Sequence, residues 1–309
     1  MTKLIASSVV RGSHQGESHG GVYLLDTETA ELLQPIDWNK MDIDWEGRGW
    51  DRGLRGIAFF NDNVYIAASD EIFVFNQRFE QVASYRNPYL KHCHEMCVHQ
   101  DHLFITSTGY DSVVGLNLIT EEFDWGLQLV SDGPAYAVRR FDPRGDQGPL
   151  QLNKLHINNV YCDEGGMYLS GIRTEALLRF NGKAVGVMAT LPQGVHNAQP
   201  FKDGILFNDT RSDALRFESP TSRKAYRIPK YPPHKLTHTD LDDSRIARQG
   251  FGRGLCVLSD NVVVGGSSPS TISVYDLTKD RPTNMLTLSM DVRNAIHGLA
   301  VWPYDWPTG

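Results

Sequence analysis

The sequence predicts an all-β protein, a six-bladed β-propeller whose ring is closed by pairing the N-terminal strands with the C-terminal strand. Three observations carry that expectation. A short motif recurs six times along the chain. Each full copy reads as a β-hairpin followed by two further short β-like runs, with no convincing long amphipathic helix between them. The last copy supplies one strand only, and the N-terminus supplies the three that it lacks.

The motif is a His or Arg, a short apolar run, a tight polar turn and a second apolar run. Its copies are GLRGIAFFNDNVYIA (53–67), HCHEMCVHQDHLFIT (92–106), KLHINNVYCDEGGMYL (154–169), GVHNAQPFKDGILF (194–207), FGRGLCVLSDNVVV (251–264) and AIHGLAVW (295–302). They align on Arg55, His94, His156, His196, Arg253 and His297, which lie 39, 62, 40, 57 and 44 residues apart. The short spacings match one four-stranded blade of about 40–45 residues. The longer ones carry polar inserts. The turns (Asn61-Asp62-Asn63, Gln100-Asp101, Asp163-Glu164-Gly165-Gly166, Lys202-Asp203-Gly204, Ser259-Asp260-Asn261) hold residues that tolerate positive φ or bond their own backbone. The N-terminal strands are expected at Leu4–Val9, Val22–Asp26 and Glu31–Ile36. Closing the ring removes the open sheet edge that invites aggregation. It also makes the apolar N-terminus a strand instead of an export signal.

Composition bounds the function. A charge of −7 excludes nucleic-acid binding by a general basic field. No apolar run reaches the ~18 residues of a membrane helix. Four cysteines in 309 residues make no disulfide scaffold, and Cys93 and Cys97 read as buried reduced thiols. A cytoplasmic protein is expected. No nucleophile elbow, P-loop, dinucleotide fingerprint or H-E-x-x-H occurs.

The chemistry concentrates at the repeated anchor. A propeller's first strand lines the central channel, so six anchors converge on one mouth, where imidazole and guanidinium are costly to bury without partners. Neutral imidazole ligates transition metals, and rigid strands preorganise ligands. His94, His156, His196 and His297 are therefore candidate ligands for a transition metal: Fe(II) is favoured, with Mn, Zn, Cu or Ni as alternatives. The metal would act as Lewis acid or oxygen activator in an oxidoreductase or lyase. Arg55, Arg253 and Arg211 suit the oxyanion of a small anionic substrate. The loop Arg11–Gly21 adds His14 and His19, and the strand connections on this mouth add Tyr110 and Arg173. Inserts at residues 38–52 (with Trp38, Trp45 and Trp50), 131–152 and 223–250 are expected to form a rim or lid. His92, His99, His102, His234 and His238 are off register and read as surface or loop residues.

The segments Leu155-His156-Ile157-Asn158-Asn159-Val160 and Tyr168–Phe180 resemble the core blade of bacterial arylsulfotransferases, six-bladed propellers that transfer a sulfuryl group through a histidine. The resemblance implies anion binding by His156, Asn158 and Arg173 and a nucleophilic His196, without a metal. More loosely the chain is similar in architecture to strictosidine-synthase and gluconolactonase-like propellers. A binding propeller without catalysis is the third expectation.

Overall fold

The computed structural model describes residues 2–14, 16–38, 53–133, 135–239, 248–279 and 281–307. Its strands are β1 (Lys3–Val10), β2 (Gly21–Asp26), β3 (Leu32–Asp37), β4 (Ile57–Phe60), β5 (Asn63–Ala68), β6 (Glu71–Phe75), β7 (Gln81–Arg86), β8 (Cys93–His99), β9 (His102–Ser107), β10 (Ser112–Asn117), β11 (Phe123–Asp132), β12 (Ala135–Phe141), β13 (Ile157–Asp163), β14 (Gly166–Gly171), β15 (Ala176–Phe180), β16 (Val185–Thr190), β17 (Val195–Phe201), β18 (Gly204–Asp209), β19 (Ala214–Glu218), β20 (Arg223–Arg227), β21 (Arg253–Ser259), β22 (Val262–Ser267), β23 (Thr271–Asp276), β24 (Asn284–Thr287) and β25 (Asn294–Val301). They form six antiparallel sheets. Blade 1 is β4–β7, blade 2 β8–β12, blade 3 β13–β16, blade 4 β17–β20 and blade 5 β21–β24. Blade 6 runs β25-β1-β2-β3. Leu4 pairs with Val301 and Val10 with Asn294, so the two chain ends close the ring as expected.

Each blade is covered on both faces by its neighbours, so the middle strands are continuous apolar runs instead of alternating ones. In β6 all five residues are buried, whereas the outer strand β7 alternates exposed and half-buried positions. Six apolar clusters fill the six seams between blades. Within them, Phe207 and Tyr275 are large side chains with almost no solvent contact. Truncating such a ring costs about 3–5 kcal/mol. Beyond β25, Trp302 stacks on Phe79 at 5.4 Å and donates its backbone N–H to Lys3 O, tying the C-terminus over the seam between blades 6 and 1.

Two glycines allow the inner strands to meet at the axis. A Cβ on Gly298 would lie 2.1 Å from Arg55 O, and one on Gly56 would lie 2.5 Å from His94 O. Each follows an anchor and faces the anchor carbonyl of the next blade, an approach that only glycine permits.

Two stretches expected as rim inserts carry strands. Residues 131–152 include β12, a fifth strand on the outer edge of blade 2, whose hairpin with β11 turns on the anchor side. Residues 223–250 begin with β20, the outer strand of blade 4. Of the 38–52 stretch only Trp38 is described; it is buried edge-on against Phe73 at 4.9 Å, and Trp45 and Trp50 lie outside the described residues. Among the described residues no helix is long and apolar enough to cross a membrane.

Candidate functional site

The anchors occupy similar places: Arg55 and His156 just before β4 and β13, Arg253 first in β21, His94 and His196 second in β8 and β17, and His297 fourth in β25. Five of them, His297, Arg55, His196, Arg253 and His94, are between 2 and 8% exposed, and His156 is partly open to solvent. Ring centroids of His94 and His156 are 5.6 Å apart, and those of His94 and His297 5.9 Å. Arg253 Nη1 donates to His297 Nε2.

The hydrogen bonds fix the tautomers. His94 Nδ1 lies 2.8 Å from His92 O and 2.9 Å from Thr108 Oγ1, and Thr108 spends its own hydrogen on Ile157 O. His196 Nδ1 lies 3.3 Å from Gly194 O, and His156 Nδ1 3.0 Å from Asn153 Oδ1. A carbonyl only accepts, so these rings carry their hydrogen on Nδ1 and present an Nε2 lone pair. A guanidinium only donates, so His297 likewise uses Nε2 as acceptor. All four imidazoles are neutral. Burial, then Arg55, drives His94 and His297 well below the ordinary imidazole range. Burial and Arg173 bring His156 down to about 4, and burial with His156 and Arg11 brings His196 down to about 3.

One acid sits among them. Glu95 follows His94 and is pushed up to about 7 by burial, against the pull of Asn197 Nδ2, which donates to Oε1 at 2.9 Å. Asn197 Oδ1 in turn accepts from Asn208 Nδ2 at 3.2 Å, so blades 2 and 4 are bridged across the channel. Near the mouth, the guanidinium of Arg253 stacks on Phe251 at 4.4 Å, with those of Arg11 and Arg248 at 5.3 and 5.7 Å from the same ring. The His196 ring meets Phe251 at 5.9 Å. Among the described residues, the buried polar atoms without a hydrogen-bond partner include three near the axis: His196 Nε2, Arg253 Nε and Asn158 Oδ1. Buried polar atoms are normally satisfied, so these three are available to a further hydrogen-bond partner.

The remaining expected residues are spread around the rim. Asn158 is buried beside His156 and donates to Val195 O. Arg173 is exposed and donates to Asn153 O at 2.7 Å, bracing the loop that carries His156. Tyr110 is off the axis: its hydroxyl donates to Pro88 O and its ring packs edge-on against Tyr89. Arg211 is exposed, and its chain lies against Gly194. His14 is exposed on the loop, whereas His19 is buried with Nδ1 2.5 Å from Ser13 Oγ, a structural tie within that loop. Off the register, His102 pairs with Asp124 and His238 with Asp291.

Sequence reasoning weighed Glu95 only as an ion-pair partner of the arginines and did not single out Asn197 or Phe251, while Arg11 and Asp111 entered only as members of mouth loops. Glu95 and Asn197 directly follow an anchor and Phe251 precedes one by two residues, a signal readable once the register is known. Asp111 was visible only as a loop residue. Its buried carboxylate accepts the backbone N–H groups of Lys154, Leu155 and His156 at 2.5, 3.1 and 2.7 Å, which sets the left-handed backbone of His156 (φ +56°).

As they stand, no three His, Cys, Asp or Glu side chains among the described residues are grouped to share one metal ion. The arrangement instead combines neutral acceptors with guanidinium donors, which suits an oxyanion bearing an exchangeable proton.

No family model matches the chain, and no curated protein matches it. Solved structures match by fold. A chain of a nidogen/laminin complex is 11% identical with a TM-score of 0.60, over 97% of this chain and 98% of that one. A protein of unknown function from Bacteroides caccae is 9% identical with a TM-score of 0.57, over 98% of this chain and all of the other. The WD40 repeats of RRP9 are 11% identical with a TM-score of 0.50, over 78% of this chain and 65% of that one. At such identities the likeness is that of a β-propeller; it adds nothing to the arylsulfotransferase or strictosidine-synthase resemblance beyond the fold.

Proposed function

We propose that the protein is an enzyme acting on a small anionic substrate bound at the anchor mouth, with neutral axial histidines as proton acceptors. The observation that supports this reading is the set of buried, partnerless polar atoms, His196 Nε2, Arg253 Nε and Asn158 Oδ1, beside guanidiniums on the channel axis. The substrate's charged oxygens lie against Arg253 and Arg55. A substrate O–H or N–H gives its proton to His196 Nε2. The empty site holds His196 neutral through burial and nearby positive charge, and a bound anion reverses that second effect. Substrate binding therefore raises the basicity of the histidine that must accept the proton. On this reading Glu95, its carboxyl pushed up to about 7, returns a proton to the leaving group. Transfer of a sulfuryl or phosphoryl group to His196 Nε2, as the arylsulfotransferase resemblance implies, uses the same lone pair.

The test is anion binding against pH. Sulfate, phosphate and a small dicarboxylate are titrated by calorimetry at pH 6 and pH 8. Anion binding takes up a proton on this reading, so affinity rises as pH falls, by up to about tenfold per pH unit per proton taken up. If none of these anions binds, or if affinity is indifferent to pH and to Arg253→Lys, the reading is overturned.

A second reading has one observation in its favour. His94, His156 and His196 all spend Nδ1 on oxygen acceptors and keep Nε2 free, the tautomer that metal-ligating histidines adopt. These three, with His297 once its bond to Arg253 is given up, would hold Fe(II) or another transition metal, which when bound supplies a Lewis acid or an oxygen-activating centre. Metal analysis after anaerobic reconstitution decides it: near-stoichiometric metal, lost in His94→Ala and His196→Ala but kept in His234→Ala, supports this reading.

A further inference from the structure

Away from the mouth, the inner strands of blades 2 and 3 bring two cysteines together. Cys97 belongs to β8 and Cys162 to β13. Cys97 Sγ accepts the backbone N–H of Cys162 at 3.3 Å and lies 4.0 Å from Cys162 O. Cys97 Sγ is thus held directly against the Cys162 backbone across the seam. Both are partly exposed, and both pack against the apolar cluster of that seam. The other two cysteines differ. Cys93 and Cys256 are buried, each on a different strand with no cysteine partner, and burial pushes both thiols up to about 12.

We infer that Cys97 and Cys162 form a redox modification site, a dithiol that a two-electron oxidant of the peroxide class closes into a disulfide stapling blade 2 to blade 3. The Cys162 backbone N–H donates to Cys97 sulfur, which favours the Cys97 thiolate, whose value is lowered while that of Cys162 is raised. The steps balance. Cys97 thiolate attacks one peroxide oxygen and breaks the O–O bond, giving a sulfenic acid and, with a proton from solvent, water. Cys162 sulfur then attacks the sulfenic sulfur, the S–O bond breaks, and the Cys162 proton leaves with the oxygen as a second water. One disulfide and two waters result from two thiols and one hydrogen peroxide. The bond joins the strand that carries His94 to the strand that begins just after His156, so it clamps two of the four axial histidines relative to each other.

The experiment uses the full chain and hydrogen peroxide. After oxidation, remaining thiols are alkylated under denaturing conditions, and intact mass and peptide maps are recorded. The expected result is a loss of about 2 Da, one cross-linked peptide joining Cys97 to Cys162, and Cys93 and Cys256 recovered alkylated. The bond closes a loop of 65 residues, so Tm rises by about 5 °C and dithiothreitol returns it. In Cys162→Ser the sulfenic acid on Cys97 persists and is captured by dimedone. Recovery of Cys97 and Cys162 as free thiols, as separate sulfinic acids, or in bonds to other cysteines overturns the inference. The wild-type map decides the matter even where a serine variant fails to fold.

Discussion

Lowering the pH should destabilise this protein by an amount that the axial histidines set. His94, His196 and His297 are buried and neutral, each held below the ordinary imidazole value. In the unfolded chain each titrates near the usual value of about 6.5. Above that pH neither state binds the proton and stability is untouched; as pH falls below it the unfolded state alone takes the proton, and stability is lost until the folded pKa is passed. For a histidine that stays neutral to pH 5, the window of about 1.5 pH units costs about 2 kcal/mol. Three of them cost about 6 kcal/mol. Glu95 works in the other direction. Its folded pKa is raised to about 7, so its contribution is full below the unfolded carboxylate value and is lost as pH rises through the folded one. Between pH 6.5 and 5 it returns about 2 kcal/mol. The net loss is about 4 kcal/mol, or about 6 °C in Tm for a chain of this length. Partly exposed His156 adds less.

Thermal melts between pH 7.5 and 5 in chloride buffer measure this directly. His196→Gln and His297→Gln replace a titrating ring by an amide, and each should remove about a third of the histidine contribution to the slope. Sulfate should restore Tm at pH 5 far more than at pH 7.5, because the protonated rings then have a counter-charge. A melting temperature that is flat over this range, or a slope that survives both substitutions, refutes the account of neutral buried histidines.

Three further outcomes are expected. Arg55→Lys and Arg253→Lys keep the charge but lose the planar fork; each should weaken sulfate binding about tenfold with metal content unchanged, and loss of metal in both would assign them to a metal shell instead. Removing residues 1–10 deletes β1, whose Leu4, Ile5 and Val9 have no solvent contact, and should abolish cooperative melting; a truncated chain melting near the full-length temperature would contradict ring closure through β1. Gly298→Ala sets a Cβ against Arg55 O and should cost about 1–3 kcal/mol by chemical denaturation, whereas Gly186→Ala, with open space around it, should change stability by less than about 1 kcal/mol.

The fold was legible because a propeller repeats its demands. The residues 53–67, 92–106, 154–169, 194–207 and 251–264 meet the same packing problem five times, and the sixth solution is split between Leu4–Val9 and 295–302. Strand limits moved by only one residue in β1, from Leu4–Val9 to Lys3–Val10. The anchors were legible for the same reason. Their partners were less so. Glu95 bonds Asn197 of another blade, and Cys97 meets Cys162 across 65 residues of sequence; no local pattern reports a contact between blades. Tyr110 belonged to the right connection but points at Pro88 and Tyr89 instead of the axis. Which way a loop side chain turns is decided by its neighbours in space, and the repeat register does not encode it.

A symmetric scaffold still needs an asymmetric site, and the residue after each anchor supplies it. Blades 5, 6 and 1 follow their anchors Arg253, His297 and Arg55 with Gly254, Gly298 and Gly56. There the glycine lies close to the next anchor carbonyl: Gly56 N–H donates to His94 O at 2.7 Å, and Gly298 N–H donates at 2.9 Å to Ser7 Oγ, which itself donates to Arg55 O. Blades 2, 3 and 4 follow theirs with Glu95, Ile157 and Asn197. Those seams are bridged by side chains: Thr108 to Ile157 O, Asn158 to Val195 O and Asn208 to Gly254 O. Glycine contacts therefore gather on the side of Arg55, Arg253 and His297, and side-chain bridges on the side of His94, His156 and His196.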